Sequence, residues 1–179
     1  MGRSAIGVQG ASGTQAVTSR VVVALRVKAS PLRAFEVFTQ EVALWWRPSA
    51  FFQFTPRSPG RLAFEPPDDE GRAGRFVETL KNGKVFEIGT ISVWAPGERL
   101  VFGWRQATFA PGQATEVEVR FDAVGDETRV TVEHRGWDTV PASNVAKHGF
   151  PEALFLRRNG EWWSELLEAL KERAQTAPG

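Results

Sequence analysis

The sequence predicts an α+β domain in which a curved antiparallel sheet of about seven strands wraps around one long C-terminal helix. Three observations carry that expectation. The elements read in the order strand, helix, six strands, long helix, so helices and strands are segregated rather than alternating. The six consecutive strands are joined by short connections with turn chemistry, which makes sequence neighbours pair antiparallel. The 179 residues include 13 Phe and 7 Trp but no Tyr, and 42% are hydrophobic, enough for a core without disulfides or metals.

Taken in order, residues 1–15 are small, polar and Gly/Ser-rich and read as a disordered tail, because they cannot bury enough apolar area to offset their ordering entropy. A single domain is expected over 16–174, with a short tail at 175–179. Val21, Val23, Leu25 and Val27 alternate within 17–28, the period-2 signature of a strand. Ser30-Pro31 then starts a helix: the hydroxyl takes an orphan amide, and proline's missing N–H costs nothing at the first helical position. Ala34, Phe35, Phe38 and Val42 follow at helical spacing, and Arg47-Pro48 closes the helix.

Strands are expected at 61–65, 75–80, 84–94, 99–105, 115–123 and 128–135, with turns at Asn82-Gly83, Ala95-Pro96-Gly97 and Gly125-Asp126. The acidic stretch PPDDEGRAG (66–74) reads as a longer loop. From Pro151 to about Ala174, Phe155, Asn159, Trp163, Leu166, Leu167 and Leu170 mark one stripe of an amphipathic helix. Gly160 interrupts it, which implies a close backbone approach or a kink.

Composition excludes several functions. With no Cys there is no thiolate nucleophile, thiolate-ligated zinc, iron–sulfur cluster or disulfide. Lys+Arg 22 against Asp+Glu 21 gives a net charge of +1, without the basic stripe of a nucleic-acid footprint. Neither a signal peptide nor a membrane span is expected, and Ile6 breaks the myristoylation pattern, so the expected location is cytoplasmic. The Gly-rich segments carry no phosphate-binding Lys or dinucleotide fingerprint, and no nucleophile motif anchors a Ser/His/Asp triad. No metal site and no cofactor are expected.

The ALWWRPS turn (43–49), the run GTISVWAPGERLVFGW (89–104), the strand TRVTVEH (128–134) with Gly136-Trp137, and the closing Trp163, Leu167 and Leu170 resemble the START-like, or SRPBCC, superfamily. Within it they are most similar to the branch of homologues of the heat-shock-protein-90 ATPase activator, over residues 17 to 173. The resemblance implies a helix-grip fold with an apolar cavity between the C-terminal helix and the sheet. The name of the branch also implies a chaperone partner. Two departures stand out: the absence of Tyr removes a phenolic acid that some enzymatic members place in the cavity, and the acidic insertion near 68–71 has no counterpart.

Strand alternation gives the expected lining. Phe76, Phe102, Trp104, Phe121 and His134 stand on apolar strand faces, with Trp137 just beyond, Trp163 on the last helix, and Trp45, Trp46, Phe51 and Phe54 in an aromatic loop over the cavity mouth. These are the expected ligand-binding residues. For that loop, packing down as ordinary core stands beside the reading as a lid; Trp162 is expected at a rim or partly exposed, and Glu116, Glu118 and Arg120 are expected in solvent. The catalytic candidates are His134 and Glu78. For His134 the alternatives are a proton-transfer group at the cavity wall and a core histidine held by a backbone carbonyl. For Glu78 they are a general base with a raised pKa and a side chain at a solvated strand end; Glu87 is expected to be turned outward by a bulge near Gly89. His148, beside Lys147, is expected at the surface. The aromatic excess together with the resemblance favours binding of a small hydrophobic or aromatic ligand between the C-terminal helix and the sheet; a cyclase- or hydrolase-type enzyme in the same cavity and, from the name of the branch, an ATPase-activating co-chaperone are the alternatives, and a homodimer is left open by an exposed edge strand.

Overall fold

The first strand, β1 (Arg20–Val27), keeps the alternation of its sequence, with Val21 and Val27 buried and Arg20 and Arg26 in solvent. The computed structural model describes residues 19–176; the expected N-terminal tail and the last three residues lie outside them. Helix α1 (Pro31–Gln40) starts as expected: Ser30 is the N-cap, its hydroxyl accepts from the Arg33 amide at 3.2 Å, and Pro31 is the first helical residue. Ser30→Ala removes that acceptor and is expected to lower stability by about 1 kcal/mol, read as a shift in the urea midpoint. The helix does not run on to Arg47. Glu41 breaks it, and a single turn, α2 (Val42–Trp45), follows.

Strands β2 (Arg61–Glu65), β3 (Arg75–Thr79), β4 (Val85–Ala95), β5 (Arg99–Trp104), β6 (Thr115–Val124) and β7 (Glu127–Arg135) form an antiparallel meander, and β1 closes the order as β1-β7-β6-β5-β4-β3-β2. Two irregularities fall on β4. Phe76 faces Gly89 but Val77 faces Glu87, which makes Ile88 an extra residue, and Ser92 is skipped in the same way between β4 and β5. Such bulges bend and twist a strand, which curves the sheet. As expected, Glu87 turns outward while Ile88 is fully buried.

Helix α3 (Glu152–Gln175) crosses the face that carries Leu100, Phe102, Trp104, Val117, Val119, Phe121, Val130, Val132 and His134. Its whole expected stripe, Phe155, Asn159, Trp163, Leu166, Leu167 and Leu170, is buried. The helix is continuous through Gly160, which packs over Val21; a Cβ there would meet the Val21 methyl at 3.4 Å, so the glycine marks a close helix–strand approach and not a kink.

The outer face departs from the expectation in one place. Glu116 is half-buried and Arg120 exposed, but Glu118 is buried beneath guanidiniums: Arg99 donates to it at 3.2 Å and Arg135 at 3.3 Å. Burial opposes ionisation of this carboxyl, and the two arginines outweigh it, holding its pKa below the usual range. Among the described residues no helix is long and apolar enough to cross a membrane.

Candidate functional site

After α2 the chain turns irregular at Pro48, Pro56 and Pro59 and returns to the sheet at Gly60, so the segment 46–60 lies against the β2–β3 end of the inner face. Between them opens a pocket of about 660 Å³. Its apolar walls are Ala43, Trp46, Pro48, Phe52, Phe54, Leu62 and Leu80; Ser58, Arg61, Glu78 and Lys81 supply polar groups. No residue of α3 lines it.

Glu78 is the buried charge of this pocket. Its place on β3 puts it on the Phe76 face, opposite Leu62 of β2 and Phe86 of β4, and the loop 55–60 folds over it. Only 1% of the residue is exposed, which overturns the solvated strand end expected for it. Oε1 accepts from the Ser58 hydroxyl at 2.7 Å and the Gly60 amide at 2.8 Å, and Oε2 accepts from the Thr55 hydroxyl at 3.3 Å. Gly60 is required for that approach, since a Cβ at this position would fall 2.5 Å from the Thr79 carbonyl oxygen and 2.8 Å from Cγ of Glu78. Thr55, Ser58 and Gly60 were not singled out in the sequence; the Pro59-Gly60 pair ahead of a strand is the signal that marks them as a special loop.

The expected ligand residues divide. Trp46 and Phe54 line the pocket. Phe76, Phe102, Trp104, Phe121, Trp137 and Trp163 do not: they are buried and pack together where a cavity under α3 was expected. Trp46 closes that space, its ring centre 5.5–6.1 Å from those of Trp45, Phe54, Phe76, Trp104, Trp162 and Trp163. Trp45 is core, packed on Phe38 with its Nε1 donating to the Val37 carbonyl at 2.8 Å. Trp162, expected at a rim, is buried with Phe52 stacked on it at 4.6 Å. Phe51 is 56% exposed, beside His148 and Phe150, over a second hollow of about 260 Å³.

His134 lies away from the pocket and fully buried. Its partners are side chains and not a backbone carbonyl. The Trp163 indole donates to Nδ1 at 3.2 Å, which leaves the proton on Nε2, 2.8 Å from the Thr115 hydroxyl; that hydroxyl reaches the Trp104 carbonyl at 3.3 Å. Burial pushes its pKa down to about 3, so the ring is neutral at physiological pH. Of the two acid–base candidates, Glu78 alone faces open space. Lys147 is buried, paired with Glu152 at 2.8 Å, and His148 is held by the Phe51 carbonyl at 2.5 Å. Among the described residues no group of three or more His, Asp or Glu side chains comes together to hold a metal ion.

A seven-stranded antiparallel sheet gripping one long C-terminal helix, entered through a strand and a short helix, defines the START-like helix-grip class. The chain belongs to the family described as Activator of Hsp90 ATPase homolog 1-like protein, whose model matches residues 28–174. Among solved structures it is similar to CalU16 of Micromonospora echinospora, at 18% identity and a TM-score of 0.55 over 90% of this chain and 78% of that one. It is also similar to CalC of the same organism, a self-sacrificing resistance protein, at 24% identity and a TM-score of 0.51 over 87% and 93% of the two chains. A third is the Aha1 dimer of Colwellia psychrerythraea, at 15% identity and a TM-score of 0.53 over 89% and 98%. At these identities the likeness is one of fold. No curated protein matches the chain.

Proposed function

We propose that the protein binds a small hydrophobic or aromatic molecule in the pocket between the segment 46–60 and the β2–β3 end of the sheet. The observation that supports this reading is the pocket itself: about 660 Å³, within the range of small-molecule sites, walled by Trp46, Phe52, Phe54 and Leu62, with one buried polar group, Glu78, to orient a guest. Flat aromatic walls suit an aromatic ring, which stacks on them while shedding water. The site stands beside the core and not beneath α3, where the aromatic side chains pack on one another.

Trp46 makes the reading testable, because an indole in the wall reports an arriving aromatic guest. Titration with naphthalene-based probes is expected to change tryptophan fluorescence saturably. Ala43→Trp, at an exposed position on the rim, should fill the mouth and weaken binding about tenfold or more while leaving the melting temperature unchanged. A flat titration across the probes, or equal binding by the plugged variant, discards the pocket as a ligand site.

A further inference from the structure

Glu78 differs from three other carboxylates held at low exposure. Glu118, Glu133 and Glu41, with side chains 10%, 14% and 19% exposed, each meet at least one guanidinium: Glu118 has Arg99 and Arg135, Glu133 has Arg20 and Arg135, and Glu41 has Arg33 and Arg173. Glu78, at 1% exposure the most buried of the four, has no Lys, Arg or His within ion-pair distance among the described residues. Its three donors, the hydroxyls of Ser58 and Thr55 and the amide of Gly60, are all neutral. The Gly60 amide donates at 2.8 Å, and none of the three brings a positive charge. A carboxylate accepts about four hydrogen bonds, and Oε2 here takes one long bond, so it has capacity left. That carboxylate is also the one of the four that lines the pocket.

Building on the pocket proposed above, we infer that its ligand is an amphipathic cation, an aromatic or hydrophobic body carrying a protonated amine that pairs with Glu78. A buried charge without a counter-ion is expensive, and a cation entering from the pocket regains that cost on binding. The walls favour the same chemistry: Trp46, Phe52 and Phe54 line the pocket, and aromatic rings attract a cation through their quadrupoles, with tryptophan the strongest. Arg61 and Lys81 border the pocket but are exposed, where water and salt screen them; the buried carboxylate is screened much less. Acidity inside and basic groups at the rim set a polarity that holds the amine end innermost.

The test uses three shape-matched probes: 1-naphthylmethylamine, which is protonated at neutral pH, 1-naphthalenemethanol and 1-naphthoate. Each is titrated by calorimetry into the full chain and into Glu78→Gln, which keeps an acceptor for Ser58 and Gly60 but removes the charge. The wild type is expected to bind the amine about tenfold more tightly than the alcohol and to bind the carboxylate weakest; in Glu78→Gln the amine's advantage should fall below about twofold. Equal or tighter binding of the alcohol or the carboxylate by the wild type overturns the cation assignment and leaves the pocket reading standing. Absence of saturable binding by all three overturns both. Should Glu78→Gln fail to fold, the ranking of the three probes on the wild type decides alone.

Discussion

Gly89→Ala is expected to destabilise the protein by about 3 kcal/mol or more, enough to unfold much of it, while Gly103→Ala on the neighbouring strand stays within about 1 kcal/mol of wild type. The two glycines face each other across β4 and β5, and their environments are not reciprocal. A Cβ on Gly89 would fall 1.8 Å from the Gly103 carbonyl oxygen, 2.2 Å from its carbon and 2.7 Å from its Cα. All three are backbone atoms, so relief requires the strands to part, and with them the facing core side chains Phe76 and Trp104. A Cβ on Gly103 meets nothing closer than 3.6 Å, an ordinary contact. The asymmetry follows from the extra residue Ile88, which turns the β4 backbone so that Gly89 points at β5, whereas Gly103 keeps the outward phase of its strand. Urea unfolding of the two variants checks this. A Gly89→Ala protein with a wild-type midpoint would mean that β4 and β5 do not approach so closely.

That close approach also marks where the sequence stopped being readable. The strands themselves were legible because each buries one face, and a period of two survives without tertiary information; β2 has the expected bounds and the others differ by a few residues at most. The Ser30-Pro31 start and the α3 stripe were legible for the same reason, since they depend on neighbours within one turn. Local spacing alone carries the helix after Ser30 on to Arg47, and what breaks it is distant. Glu41 holds Arg33 from its own helix and Arg173 from α3, both at 2.5 Å, a contact that no local spacing encodes.

The site was half legible. Alternation placed Phe76, Phe102, Trp104, Phe121 and His134 on the inner face, where they are. Whether facing rings leave a gap depends on what else enters it, and Trp46 and Trp162 arrive from a loop and a helix to fill it. Residue type alone points Glu78 to solvent, because isolated glutamates favour it. Its burial depends on the 55–60 loop folding back over β3, a register that the sequence of neither segment states alone. The outer face of β5, β6 and β7 follows the same rule: Glu118 stands on the solvent phase of its strand, and its burial depends on Arg99 and Arg135 converging on it from neighbouring strands.

Lowering the pH from 6.5 to 5 is expected to cost about 2 kcal/mol of stability through His134 alone, and several kcal/mol by pH 3. Protonating the native ring would place a second donor against the Trp163 indole N–H and charge a fully buried site, and burial therefore holds the pKa near 3. The unfolded chain has no such obstacle and takes up the proton near pH 6.5. Between those values the unfolded state binds more protons than the native state, so stability is full above about 6.5 and falls as the pH drops toward 3. The carboxyls of Glu41, Glu118 and Glu152 also have lowered pKa values, with burial opposing ionisation and Arg or Lys partners outweighing it. Their contributions are lost at lower pH, through the acid range of carboxylates, so the interval from 6.5 to 5 isolates the histidine. Urea midpoints across that interval should fall steadily for the wild type. His134→Asn should be less stable at pH 7, having lost the ring from between Trp104 and Trp137, yet its midpoint should stay level from 6.5 to 5. A wild-type protein whose stability is level there, or whose His134 nitrogen shifts show a charged ring at pH 5, would require this histidine to reach solvent, which its place beneath Trp163 forbids.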